Sequence, residues 1–175
     1  MIYISGGAFN VDGPIHSDLP DNPNRVAEWN LYLDAEAADL VFKSGIPIVL
    51  VPLDVTHVTG PRPLVFSREG VKSLRKAARS RASRLMVRLI HLWGMSVTQY
   101  PATPVWDAAV AALVVDPAIG TDWRELAIRV ELEPETVAGQ TVIEAGKPVN
   151  ARVCFGGNQT AFEATYLSIA RGTGS

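Results

Sequence analysis

The sequence has a single cysteine, Cys154. One thiol closes no internal disulfide and builds no multi-cysteine zinc site, so a reducing compartment is the simpler expectation. A cationic excess is missing as well. Sixteen Lys and Arg stand against eighteen Asp and Glu, for a formal charge of −2 and a pI near 5.9. A general nucleic-acid binder would carry surplus positive charge, and that class is set aside. Long hydrophobic runs are wanting too. The longest, GIPIVLVPL over 45–53 and AAVAALVV over 108–115, are far too short to cross a bilayer. The opening MIYISGGAFN has neither the basic start nor the apolar stretch of a secretion signal. The expectation is a cytoplasmic protein without a membrane partner. His16, His57 and His91 are far apart and show no metal-binding spacing. There is no P-loop, no G-x-G-x-x-G and no G-x-S-x-G elbow, and no internal repeat, low-complexity tract or linker.

What is present is globular. Hydrophobic residues make up 47% of the 175 and charged residues 19%, enough to bury a core in one domain spanning 1–175. Residues 2–5 read as a short buried strand ended by Gly6-Gly7. Residues 10–26 are polar and rich in Pro, Asn and Asp, a long surface loop of the kind that often carries function. Asp34 is placed as an N-cap, a helix follows to residue 44, and Gly45 stops it. The β-branched run 46–55 predicts a strand buried on both faces. Together these make a β-α-β unit and an α/β fold. Residues 67–92 are helical, in one or two pieces, with Arg68, Lys72, Arg75, Lys76, Arg79, Arg81, Arg84 and Arg88 on a solvated outer face. A second loop covers 97–107 and leads into a small-residue helix expected to be buried nearly all round and to end at Asp116-Pro117. Strand-like segments near 127–132, 140–143 and 149–155 precede a helix near 160–171.

Three places invite chemistry. In DNPNRVAEWN (21–30), Asn22, Asn24, Arg25, Glu28 and Asn30 stand together. If 27–33 is extended, Glu28, Asn30 and Tyr32 share one face while Trp29, Leu31 and Leu33 share the other. A carboxylate accepts and an amide both donates and accepts, which suits vicinal hydroxyls. The plainer reading has Asn22 and Asn24 shaping a turn and Glu28 exposed. Asp107, just ahead of the Ala-rich run, is a helix N-cap or a metal ligand, and one carboxylate cannot define a calcium site of six to eight oxygens. Asp54 ends the apolar strand, where it borders a ligand crevice or bonds locally to Thr56.

Taken in order, SGGAFNVDG (5–13), AEWNLYLDAEAADLVFKSGIPIVLVPLDVTH (27–57), PVWDAAVAALVVDP (104–117) and GQTVIE (139–144) resemble the nucleoside hydrolases that cleave inosine and uridine. The resemblance covers most of the chain. It implies the C-terminal part of a nucleoside-hydrolase-like mixed sheet flanked by helices, and a ribonucleoside as substrate. It assigns Asn22, Glu28 and Asn30 to the ribose hydroxyls and Asp107 to a Ca²⁺ ion. The family's leaving-group histidine falls at Trp106, which leaves that acid unassigned and offers an indole face for stacking on a base. Ser5-Gly6-Gly7 stands where the family commonly has Met-Gly-Gly, and Tyr100 lies in the loop that usually borders the base. The family's Asp-rich opening motif, which carries most metal ligands and the general base, has no counterpart here. The chain thus resembles a C-terminal half, competent as a hydrolase with an N-terminal half supplied by a second chain, a split gene or a longer natural product; the expected protein partner is that half or a further copy of this chain. The alternative is a non-catalytic nucleoside- or sugar-binding remnant or interaction domain.

Overall fold

The computed structural model describes residues 1–15, 19–96 and 100–172. His16 and the first three residues of the 97–107 loop lie outside the described residues. Strand β1 (Ile2–Ser5) leads through a long loop to two short helices, α1 (Trp29–Leu33) and α2 (Ala35–Lys43). Then come β2 (Ile48–Val51), α3 (Leu53–Thr56), β3 (Val65–Phe66), α4 (Arg68–Ala77), α5 (Arg81–Ser96), β4 (Thr103–Pro104) and α6 (Trp106–Val115). A 3₁₀ turn at Pro117–Ile119 precedes β5 (Trp123–Leu126), β6 (Ile128–Val130), β7 (Thr141–Ile143), β8 (Ala151–Cys154) and α7 (Gln159–Arg171).

The main sheet runs β1-β2-β8-β5, with β1, β2 and β8 parallel and β5 antiparallel to β8. This is a mixed sheet flanked by helices. Its side chains alternate between two cores because successive residues of a strand point to opposite faces. Val49 and Val51 join Leu74, Leu113 and Phe162 on one side. Ile48 and Leu50 join Phe42, Val130 and Val153 on the other. All four residues of β2 are buried, and each such side chain contributes about 1.5–3 kcal/mol. The expected β-α-β unit is therefore present. Its helix is capped by Asp34, whose Oδ1 accepts from Ala37 N–H at 2.9 Å, and it ends at Gly45 with φ +73°.

The strand expected over 46–55 is shorter. Pro52 carries no N–H to continue the ladder, and the chain turns into α3. The small-residue helix is not buried all round. α6 buries Ala109, Val110, Ala112 and Leu113 but leaves Val114 and Val115 exposed. Its ten residues wind past the core and out again, so one stripe suffices. The predicted connector and second loop also pair as a small β3–β4 ribbon. The basic segment splits into α4 and α5, and all eight of its cations are exposed.

In a parallel ladder alternate residues turn both backbone groups toward one neighbour. Ile2 N–H bonds Pro47 O and Gly6 N–H bonds Val51 O, so Tyr3 and Ser5 present theirs to the open side of β1. The carboxyl ends of β1 and β2 lie beside this open edge, and the loop 6–15 and helix α3 with the turn that follows it emerge there, where parallel sheets form ligand crevices.

Candidate functional site

Glu28 is the anchor of this end. It is not on an extended strand, as the alternation of residues 27–33 implied, because α1 begins at Trp29 and Glu28 is its N-cap. Nor is it exposed. Only 6% of it reaches solvent. Its Oε2 accepts from the N–H groups of Asn30 (3.0 Å), Leu31 (3.3 Å) and Gly7 (3.3 Å). The first two are helix-end donors that need an acceptor. The third arrives because Gly7 takes a left-handed φ of +82° and because Gly6 has no side chain; a Cβ there would sit 3.1 Å from Oε2. Among the described residues Oε1 accepts nothing. Burial raises the carboxyl pKa, the three backbone donors oppose that rise, and the nearby Asp107 carboxylate adds to it.

Asn30 follows on α1. Its Nδ2 donates to Ser5 O at 2.9 Å, so it closes part of the open edge of β1; among the described residues its side-chain carbonyl accepts nothing. Asn24 is fully buried and purely structural. Its Oδ1 accepts from Val26 and Ala27 N–H, and its Nδ2 donates to Glu135 O and Ala138 O. The loop over 10–26 is therefore not wholly a surface loop, since Gly13, Ile15 and Asn24 are buried in it. Asn22 bonds the Tyr32 hydroxyl (2.6 Å) and Asn24 N–H (2.8 Å).

Asp54, fully buried, grips the loop after β1. Its oxygens accept from Phe9 N–H (2.9 Å), Asn10 N–H (2.8 Å) and Asn10 Nδ2 (2.7 Å). The local bond to Thr56, one of the readings the sequence left open, is not made; the Thr56 hydroxyl donates to Pro52 O instead. Thr141 of β7 clamps the same loop by bonding both Ala8 N–H and Ala8 O.

These contacts leave a cavity of about 780 Å³. Glu28, Asn30, Trp106 and Asp107 all line it, and so does Tyr100. Asn22 does not. Asp107 is exposed and lies in the first turn of α6 rather than at its cap, which is Val105. Trp106 meets Trp93 edge to face at 5.6 Å, and Trp93 Nε1 is tied to Pro104 O at 2.8 Å, so the indole pair is held rigidly. Sequence reasoning missed Asp12, Asn10 and Trp93 on this wall, and passed over His57 for want of metal spacing. The position of His57 just past the carboxyl end of a buried strand was the available signal. Among the described residues no three His, Cys, Asp or Glu cluster to hold a metal. With Oε2 of Glu28 already occupied, the carboxylates of this chain do not by themselves fit a calcium ion.

The family model for inosine-uridine preferring nucleoside hydrolases matches residues 1–164. The chain belongs to this family. A pyrimidine-specific ribonucleoside hydrolase RihA of Shewanella sp. strain ANA-3 is 31% identical over 174 residues, which is 92% of this chain and 48% of that protein. The RihA of Photobacterium profundum is 31% identical over 151 residues, 78% and 44% of the two chains. Among solved structures, a purine-preferring ribonucleoside hydrolase from Gardnerella vaginalis superposes with a TM-score of 0.72 at 24% identity, over 96% of this chain and 51% of that one. The plant nucleoside hydrolase PpNRh1 gives 0.73 at 23%, over 94% and 51%. These two likenesses concern the fold. The chain spans about half the length of the nucleoside hydrolases it matches.

Proposed function

We propose that the cavity is the ribose- and base-binding half of a ribonucleoside hydrolase site. The observation that carries this reading is Glu28. A buried carboxylate with one oxygen saturated by three backbone donors and the other unpartnered, on a cavity wall, is built to accept from a hydroxyl. Asn30 stands beside it with a free carbonyl, and the Trp106 indole and Tyr100 ring supply flat apolar surface for a nucleobase. The reaction breaks the N-glycosidic bond: the base departs with the bonding electrons, water adds to C1′, and the proton that water loses ends on the base. The ribose passes through an oxocarbenium-like state, and Glu28 contributes by holding its hydroxyls as the ring flattens.

Asp107 is the residue of this chain that a calcium ion would use, with its other ligands supplied from elsewhere. The sugar role rests on Glu28 and Asn30. Asn22 serves as the brace of the loop that carries them.

D-Ribose titrated into the chain by calorimetry tests the reading. Wild type is expected to bind, and Glu28→Ala to bind about ten-fold or more weakly with unchanged circular dichroism. Equal affinity removes Glu28 from the site. Base release from uridine and inosine, assayed with the chain alone and with an N-terminal half of a family member supplied, separates hydrolase from remnant. Turnover in the pair supports the hydrolase. Ribose binding without turnover in either case favours the non-catalytic sugar-binding reading.

A further inference from the structure

The position that Trp106 occupies provides no imidazole, yet one imidazole does line the cavity. His57 follows α3, where its backbone N–H closes the helix on Leu53 O at 2.9 Å. Its ring is fixed on two sides. Tyr100 meets it edge to face at 5.1 Å and 89°. Thr59 meets its Nδ1 twice, through the hydroxyl at 2.8 Å and through the backbone N–H at 3.4 Å. A backbone N–H can only donate, so Nδ1 is the acceptor and the neutral ring carries its proton on Nε2. Burial lowers the pKa of the ring and keeps it neutral near pH 7. Among the described residues Nε2 has no partner.

We propose that Nε2–H of His57 is the hydrogen-bond donor to the departing nucleobase, directed at a ring acceptor such as a pyrimidine carbonyl oxygen or a purine ring nitrogen. This rests on the nucleoside reading of the cavity and names a residue for its base side. As the glycosidic bond breaks, the electron pair moves onto the base and its acceptors become more negative. A fixed neutral donor in a partly desolvated wall then binds the transition state more tightly than the substrate. The proton stays on His57, so no imidazolate forms. Thr59 sets which nitrogen donates, and Tyr100 holds the plane of the ring. Position 106 is thereby freed for an indole.

The test uses the 175-residue chain with ¹⁵N-labelled histidine, titrated separately with uracil, hypoxanthine and D-ribose. At neutral pH Nε2 of His57 is expected to be the protonated nitrogen, and either base is expected to shift it more than Nδ1. His57→Phe, which keeps a ring against Tyr100, is expected to bind the bases about ten-fold more weakly with ribose affinity unchanged. His57→Gln, which restores an N–H, is expected to recover part of the loss. A ring protonated on Nδ1, an Nε2 signal indifferent to both bases, or a His57→Phe chain that binds uracil as wild type does would overturn the proposal. Failure of ribose to bind the wild-type chain strikes the sugar-site reading instead, and the two failures are thus told apart.

Discussion

Glu28 has two oxygens in two circumstances, and the difference is testable. Removing the side chain in Glu28→Ala strands the N–H groups of Gly7, Asn30 and Leu31 and deletes a helix cap. A loss of about 2–4 kcal/mol in unfolding free energy is expected in denaturant titrations. Glu28→Gln keeps an acceptor and removes the buried charge. Because burial raises the folded pKa above its unfolded value, the native state binds this proton more tightly. Stability from that source is complete below the ordinary glutamate range and is lost as pH rises through the raised value. Wild type should therefore lose stability relative to Glu28→Gln across that rise. A constant difference between the two would mean that the site does not penalise the charge.

Among the elements, the loop after β1 is the one the site depends on. It is irregular, yet it is held by Asp54, Thr141 and Glu28 from three separate segments. Asp54→Ala frees the N–H groups of Phe9 and Asn10, and a destabilisation of about 2 kcal/mol or more is expected, with weaker ribose binding as the loop loosens. Gly13 is the tightest point. Its N–H bonds Arg25 O at 3.0 Å, and a Cβ there would lie 1.9 Å from Ala27 O. That atom is backbone and cannot swing aside, so Gly13→Ala should lower thermal stability by about 3 kcal/mol or more. A variant as stable as wild type would show that the loop is free to move away from residue 27.

The molecule as a whole has an open side. Among the described residues β1 pairs only with β2 within its sheet, and Tyr3 and Ser5 turn their backbone groups outward there, next to the cavity. Among the described residues no helix is long and apolar enough to cross a membrane. The Asp107 carboxylate by itself cannot assemble a calcium shell. Calorimetry of the chain alone is therefore expected to detect no micromolar Ca²⁺ binding, and tight binding would show that Asp107 and its neighbours close a complete site. Hydrogen exchange should find the amides of Tyr3 and Ser5 labile beside protected ones at Leu50 and Val153, because the former lack a ladder partner.

What the sequence determined by itself is whatever depends on near neighbours in the chain. The cap at Asp34 and the stop at Gly45 were readable because they act within a few residues. The two-sided burial of β2 was readable because continuous β-branched runs survive only inside a sheet. The motif around Glu28 was legible as a family resemblance, while its composition and spacing alone read as a turn as readily as a set of hydroxyl partners. What only the tertiary structure decided involves partners far apart. Asn22 and Asn24 look alike in sequence, yet Asn24 is buried by bonds to residues 135 and 138, and Asn22 turns to Tyr32 instead of the cavity. Alternation offered an extended reading of residues 27–33, but Glu28 caps a helix there, and its third donor, Gly7, is brought to it across twenty-one residues of chain. His57 offered only its place just past a buried strand. Among the described residues Thr59 takes its Nδ1 and leaves Nε2 without a partner, and the fold carries Tyr100 against the ring. Spacing along a chain encodes helices and strands, whereas the pairing of a buried donor with its acceptor is set by packing, and packing is what made this site.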